Sequence, residues 1–148
     1  MAPQFRHGKV AEFKLVTGAT IAASGAITGG TTRNLSSGIT DMTFGRTVET
    51  ADITTYGDGD RFYLAGLRTG TMSGNGIFAS TYEDIISPLL GVSTGIAVKV
   101  SPHGAVSGRT LYTCGVIITD ASVGVPVGDR VTMAFNFQRT GAILSTKT

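Results

Sequence analysis

The chain has 148 residues, of which 41% are hydrophobic and only 15% are charged, and its formal net charge is +2. This length fits one domain with its own core, and the low charge is typical of a surface that neighbours cover. The twelve basic residues are scattered with no two adjacent, which argues against a dedicated DNA-binding surface. The 21 glycines, together with many Thr and Val, predict a β protein with many turns.

The first third of the chain predicts one strand and one weakly ordered stretch. Residues 9–16 can form a strand. Residues 17–33 are almost entirely Gly, Ala, Ser and Thr, with Ile21 and Ile27 as the only large apolar side chains. Such a segment buries little area, so it is a loop, a weak hairpin or a segment that a partner orders.

A half-buried strand is predicted over residues 39–53, because Met42, Phe44 and Val48 fall at even spacing between polar residues. A polar, glycine-hinged loop follows at residues 54–67 and carries large apolar side chains. These side chains either fold back over the protein's own core or dock on a neighbouring subunit.

The next strand, over residues 69–78, is thinned by glycine. Gly70, Gly74 and Gly76 share a face with Met72, which indicates close packing or a bulge.

One helix is predicted, over residues 81–90. Ser80 and Glu83 have the spacing of a capping box. The apolar residues at helical spacing are Tyr82, Ile85, Ile86, Leu89 and Leu90. Pro88 conflicts with a helix interior at a cost of about 3 kcal/mol, so we expect a kink or an end near Ser87. Gly91 can close the C-terminus in a left-handed conformation.

Three further strands are predicted over residues 96–100, 109–119 and 130–138. A turn at 102–108 and a loop at 120–129 separate them. In the last strand, the inward residues are Val131, Met133, Phe135 and Phe137. The sum is a mainly β fold, a β-sandwich or partial barrel with one flanking α-helix.

Catalytic and metal chemistry is poorly supplied. Cys114, the only cysteine, lies mid-strand among apolar residues, where a buried, inert thiol is usual. Asp58-Gly59-Asp60 is similar to the start of a calcium loop, but Phe62 breaks the pattern, which leaves a polar turn. Residues 74–79 match the letters of a dinucleotide-binding fingerprint but precede the helix cap, so close packing is the better interpretation. We therefore expect no enzyme activity, no metal and no cofactor.

Three segments, taken in order and spacing, resemble the major tail tube proteins of long-tailed, siphovirus-like bacteriophages. They are residues 47–74, the Leu-Leu-Gly of residues 89–91, and residues 126–141, and the similarity runs from about residue 34 to 141. The resemblance implies hexameric rings that stack into a tube through which phage DNA is ejected. It also implies sheets that join around the bore, and loops and arms that link the rings.

Carried onto this chain, the resemblance implies a single tail-tube domain over residues 1–148. Its N-terminal arm is 1–8, its inter-ring loop is 54–67 and its C-terminal arm is 139–148. The implied inter-subunit contacts are Phe5, Tyr56, Asp58, Asp60, Arg61, Phe62, Tyr63, Leu64, Leu67, Ile143 and Leu144.

The implied partners are further copies of the chain, a tape measure protein inside the bore, and tail tip and tail terminator proteins. Double-stranded DNA passes without specific binding, and no membrane is involved. The implied location is the virion, after assembly in the host bacterial cytoplasm; residues 1–9 contain no apolar run typical of a signal peptide. Alternatives are a tail terminator, the tube protein of a contractile or secretion apparatus, or a carbohydrate-binding β-sandwich module, the last disfavoured by the absence of Trp.

Charge adds two expectations. Phosphate contacts accumulate into affinity, so a bore that lets DNA slide should be neutral or acidic. Opposite charges should guide ring stacking, with acids in the loop and basic residues near the termini. These residues are Asp52, Asp58 and Asp60 against Arg6, Lys9, Arg139 and Lys147.

Overall fold

The computed structural model describes residues 11–104 and 106–147. The strands are β1 (Glu12–Thr17), β2 (Thr20–Ile21), β3 (Ile27–Thr28), β4 (Thr31–Asn34), β5 (Ile39–Phe44), β6 (Thr47–Asp52), β7 (Tyr63–Thr69), β8 (Thr71–Ile77), β9 (Ile96–Ser101), β10 (Thr110–Gly124) and β11 (Thr132–Lys147). The helix α1 spans Ser80–Ile86, and a 3₁₀ turn follows at Ser87–Leu89. The prediction of a mainly β fold with one helix is confirmed.

One seven-stranded antiparallel sheet, in the order β4-β1-β9-β10-β11-β8-β5, curls around its own core. Only residues 35–38 separate the two edge strands in the chain, so the edges must lie near each other. Phe13 of β1 stacks on Phe135 of β11 at 6.3 Å between ring centroids, although two strands lie between β1 and β11 in the sheet. The architecture is therefore a partial barrel, which is one of the two predicted forms.

Period-2 alternation builds the core of this barrel. In β11, Met133, Phe135 and Phe137 are buried and the residues between them are not, as predicted. Glycines thin β8 where Phe135 packs, since a Cβ on Gly74 would lie 2.6 Å from Cε2 of Phe135. The glycines of β8 therefore serve close packing, as the sequence predicts.

The helix packs against the connection between the two edge strands. The Tyr82 hydroxyl lies 2.6 Å from Oγ of Ser37, and Ile86 is buried in the core. The helix ends at Ile86, near the predicted position, and Gly91 has a φ of 77°. The predicted capping box is wrong, because Ala79 is the N-cap and no side chain caps the helix.

Two predicted segments differ from the structure. Residues 39–53 form two strands rather than one, because the chain leaves the barrel at Gly45, whose N–H donates to the carbonyl of Thr71 at 2.9 Å. Residues 17–33 form the weak hairpin β2–β3 and the edge strand β4, so the hairpin alternative is confirmed.

The last two strands are longer than the pattern predicts. Strand β10 continues to Gly124, into the predicted loop. Strand β11 continues to Lys147 and pairs with the start of β10, with Thr110 opposite Lys147. Residues 139–147 are therefore strand within the sheet, and their role as an arm between rings stays a prediction. The predicted N-terminal arm, residues 1–8 with Phe5, lies outside the described residues.

Candidate assembly surfaces

Strands β6 and β7 form a two-stranded hairpin that stands away from the barrel. Every residue of both strands is exposed. Their register places Thr47 opposite Thr69 and Asp52 opposite Tyr63, with an extra residue in β7 between Ala65 and Arg68. An isolated two-stranded hairpin is marginally stable in water, so this one needs support from a neighbour or from its turn.

The two faces of the hairpin differ. Residues directly opposite each other in an antiparallel pair share a face, so Ala51, Leu64, Ile53 and Phe62 lie together. The exposed fractions on the hairpin are 53% for Ile53, 52% for Phe62, 60% for Leu64 and 78% for Leu67. Exposed apolar side chains that cluster in this way mark an interaction surface.

Side-chain hydrogen bonds order the turn at the end of the hairpin. The Asp58 carboxylate accepts from the N–H of Thr55 at 2.7 Å and from its hydroxyl at 3.0 Å. The Asp52 carboxylate accepts from the N–H of Thr54 at 2.9 Å, and the hydrogen bonds of Thr54 lower the pKa of Asp52. Arg61 lies 3.7 Å from Asp52. The Asp58-Gly59-Asp60 segment is thus a polar turn, as predicted.

The hairpin brings together the predicted contact residues of the middle of the chain. Tyr56, Asp58, Asp60, Arg61, Phe62, Tyr63, Leu64 and Leu67 all lie on it and are exposed. They do not fold back over the core, so that alternative is wrong. Residues 63–67 belong to β7 and are therefore strand.

The predicted contact residues near the C-terminus lie elsewhere. Ile143 and Leu144 are half-buried on β11, and Ile143 packs against the barrel core.

A groove of about 680 Å³ lies at the base of the hairpin, beside the second half of β11. We call it the arginine groove. It is lined by Arg46, Thr47, Val48, Gly66, Leu67, Arg68, Arg139, Gly141, Ala142, Ile143 and Ser145. The guanidinium carbon of Arg46 lies 5.4 Å from the centroid of the Tyr112 ring, which holds it in place.

A second exposed tip was missed by the sequence reasoning. Val123, Val125 and Val127 follow each other at the β10–β11 turn, and all are exposed, Val127 fully. The signal that could have revealed them is the even spacing of three valines in a glycine-containing loop, a segment that does not lie against the protein's own core.

The outer face of β10, β11, β8 and β5 carries small, mostly uncharged side chains. We call it the small polar face. One cross-strand row is Asp120, Asn136, Ser73 and Thr43, and the next is Ser122, Ala134, Asn75 and Asp41. Asn136 donates to the Asp120 carboxylate at 3.2 Å. Neither row contains Lys or Arg, and Arg130 lies at one end beside Asn75 and Ser122.

Both edges of the sheet are open. Strand β4 pairs only with β1 and β5 only with β8 among the described residues. An open edge presents unpaired N–H and C=O groups, which pair readily with a strand from another copy.

One thiol and the possible metal ligands among the described residues remain to be placed. Cys114 is fully buried, and burial raises the pKa of its thiol to about 11. No cluster of three or more His, Cys, Asp or Glu able to hold a metal occurs in residues 11–104 and 106–147. Within the described part of the chain, no helix has the length and apolar character needed to cross a membrane.

Comparison with known proteins finds similar structures but no similar sequence. No protein-family model matches the sequence, and no curated protein matches it. A chain in the tail of an empty gene transfer agent (GTA) particle, refined helically with C6 symmetry, has a TM-score of 0.70 and 20% identity over 96% of this chain and 99% of that chain. A chain of the SPP1 tail tube has a TM-score of 0.67 and 10% identity over 96% of this chain and 79% of that chain.

A third similar structure comes from a baseplate rather than from a tail. A chain of the anti-feeding prophage baseplate has a TM-score of 0.67 and 10% identity over 99% of this chain and 97% of that chain. The fold expected from the sequence is thus the fold that these tail and baseplate chains share.

Proposed function

We propose that this protein is the structural subunit of a phage-type tail tube, in which hexameric rings of the chain stack into a hollow tube that conducts DNA. The observation that carries the proposal is the exposed apolar hairpin β6–β7 on a barrel that shares its fold with the SPP1 tail tube. A free subunit gains nothing from such a hairpin, whereas a stacked assembly covers it. The C6 symmetry of the GTA tail supports rings of six.

The small polar face is the surface that we assign to the bore. It spans four neighbouring strands and ends at the open edge of β5, so a neighbouring subunit can continue it around a ring. DNA that slides past this face meets hydroxyls, amides and the carboxylates of Asp41 and Asp120. Any Lys or Arg here would be repeated in every subunit, so the absence of both from the two cross-strand rows keeps phosphate affinity low along them.

Other partners and the location follow from this role. A tape measure protein would fill the bore before ejection, and tail tip and tail terminator proteins would bind the two ends. The subunit would assemble in the host bacterial cytoplasm and act in the virion. The similarity to a baseplate chain of the anti-feeding prophage favours the tube protein of a contractile apparatus as the second candidate.

Electron microscopy of the purified protein at rising concentration tests the proposal. We expect hollow tubes or six-membered rings, together with a steep rise in light scattering. The matched control is a variant in which Asn-Gly replaces residues 54–61, because it removes the turn but leaves the barrel intact. A wild-type protein that stays monomeric at all concentrations, also after addition of tail tip proteins, would contradict the proposal.

The bore assignment has its own test. In a helical reconstruction of the tubes, Ser73 and Asn136 should face the lumen. Particles that carry Asn136→Lys should keep normal tubes but deliver less DNA, because each ring adds six positive charges to the path. The control Asp84→Lys changes charge on the exposed side of α1 and should deliver DNA normally. A lumen lined mainly by Arg and Lys would refute the assignment.

A further inference from the structure

Three arginines line the groove at the base of the hairpin, and no carboxylate lines it with them. Arg46 comes from the connection between β5 and β6, Arg68 from β7 and Arg139 from β11. Neither of the two ion pairs among residues 11–104 and 106–147 involves them. Guanidinium groups gathered without a counter-charge repel one another, so the groove favours an anionic partner.

The groove also offers apolar contacts. Its lining includes Val48, Leu67 and Ile143, and Leu67 is 78% exposed. Arg46 is held against the stacked rings of Phe44 and Tyr112, whose centroids lie 5.5 Å apart. A suitable partner therefore combines carboxylates with apolar or aromatic side chains. Arg46 is already positioned by the two rings before such a partner binds.

The turn of the β6–β7 hairpin has this chemistry. Asp58 and Asp60 are exposed there, and Tyr56 and Phe62 flank them. Asp58 is engaged by Thr55, but Asp60 forms no ion pair with a described residue. The turn cannot reach the groove of its own subunit, because the paired strands from Thr47 to Ile53 hold it about 20 Å from the hairpin base at about 3.3 Å per residue.

We propose that the arginine groove of one subunit receives the hairpin turn of a second copy, with Asp60 meeting Arg68 and with Tyr56 and Phe62 against Leu67. The inference rests on the proposed tube function and names the receiving site of its stacking contact. Groove and turn are different surfaces, so the contact runs head to tail. It leaves a free turn and a free groove at the two ends, which is the geometry of an open stack.

Cysteine cross-linking tests the contact. The only native cysteine is fully buried, so the background is low. Mixing an Asp60→Cys protein with an Arg68→Cys protein under mild oxidation should give a heterodimer in at least about tenfold excess over a mixture of Asp60→Cys with Asp84→Cys. Equal yields in the two mixtures would overturn the inference.

Charge exchange gives a second readout. We expect Arg68→Glu to raise the concentration needed for tube growth by about tenfold or more, because a buried interfacial charge would lose its partner. Asp60→Arg should act in the same way, whereas the pair Asp60→Arg with Arg68→Glu should recover most of the growth. The control Asp84→Arg should grow like the wild type.

The outcomes separate the inference from the proposed function. The groove contact would be overturned, and the tube function left intact, if both single variants formed tubes at the wild-type concentration. The same holds if the double variant needed as high a concentration for tube growth as the single variants. A cross-link between positions 60 and 68 without wild-type rings or tubes would support the contact and contradict the tube.

Discussion

The barrel and the β6–β7 hairpin are both built from strands that carry large apolar side chains, but they differ in whether those side chains are buried. In the barrel, each inward side chain of β11 finds a partner within the chain, as when Phe135 and Phe137 pack at 5.1 Å between ring centroids. In the hairpin, Leu64 and Phe62 share a face but remain more than half exposed. The barrel buries its apolar side chains within the chain, whereas the hairpin leaves its own exposed, as the proposed stacking contact requires.

This contrast teaches that alternation alone does not say where a strand is buried. The even spacing of Met42, Phe44 and Val48 runs from the barrel into the hairpin, but the hairpin strands pair only with each other, as a separate two-stranded sheet. Substitutions should therefore separate into those that change the free energy of unfolding and those that change assembly.

The largest separation is expected between two phenylalanines. Phe135→Ala should lower the free energy of unfolding by about 3–5 kcal/mol, because it leaves a cavity in the core. Phe62→Ala should change it by less than about 0.5 kcal/mol, because the side chain is half exposed. Urea unfolding measures both values.

Tube formation by the folded subunit should depend on Phe62, although the free energy of unfolding does not. Phe62→Ala should reduce tube formation while its monomer remains as stable as the wild type. If Phe62→Ala destabilised the monomer as much as Phe135→Ala, the hairpin would belong to the core.

Two glycines give the next largest contrast. Gly74→Ala should cost about 1–3 kcal/mol, because the new Cβ would lie 2.6 Å from the Phe135 ring. Gly59→Ala, in the hairpin turn, meets nothing within 4 Å and should be close to neutral. Thermal unfolding of the two variants compares them, and equal shifts would contradict the packing of β8.

The thiol of Cys114 reports on barrel closure. Its pKa is about 11 in the folded protein against the ordinary 9.0, so at pH 8 the thiolate population should fall by about 100-fold and labelling should be slow. The folded state favours the protonated thiol, so this contribution to stability is present below pH 9 and is lost as the pH rises towards 11. Rapid labelling of the native protein at pH 8 would show an open core.

The smallest effect is expected at the exposed pair of Arg61 and Asp52. Their separation is 3.7 Å and both are exposed, so Arg61→Ala should leave the urea midpoint of unfolding close to that of the wild type. The pKa of Asp52 should stay low, because Thr54 causes the shift. An NMR titration of the variant that returns Asp52 to its ordinary pKa would assign the shift to Arg61 instead.

Local patterns predicted the barrel core well. Met133, Phe135 and Phe137 alternate in a single short run, so one period fixes their face. The helix end was predictable because Pro88 removes a backbone hydrogen bond and clashes with the helical turn that precedes it, both of which are local effects. The division of residues 39–53 was not, because Met42, Phe44 and Val48 keep even spacing across the point where the chain leaves the barrel.

Features that depend on pairing between residues far apart in the chain could not be predicted from the sequence. Residues 139–147 have weak strand character and are strand because β10 lies beside them. The arginine groove draws Arg46, Arg68 and Arg139 from three separate elements, and no spacing in the chain connects them. The exposed aromatic turn was predictable, because apolar residues in a polar loop are visible in the sequence itself.

Hydrogen exchange of the free subunit and of the assembled tube tests the central claim most directly. We predict that amides of residues 47–69 exchange rapidly in the free subunit and become protected in the tube. Amides of β9, β10 and β11 should be protected in both states. Hairpin amides that exchange equally fast in both states would contradict the account, because the hairpin would then remain uncovered by assembly.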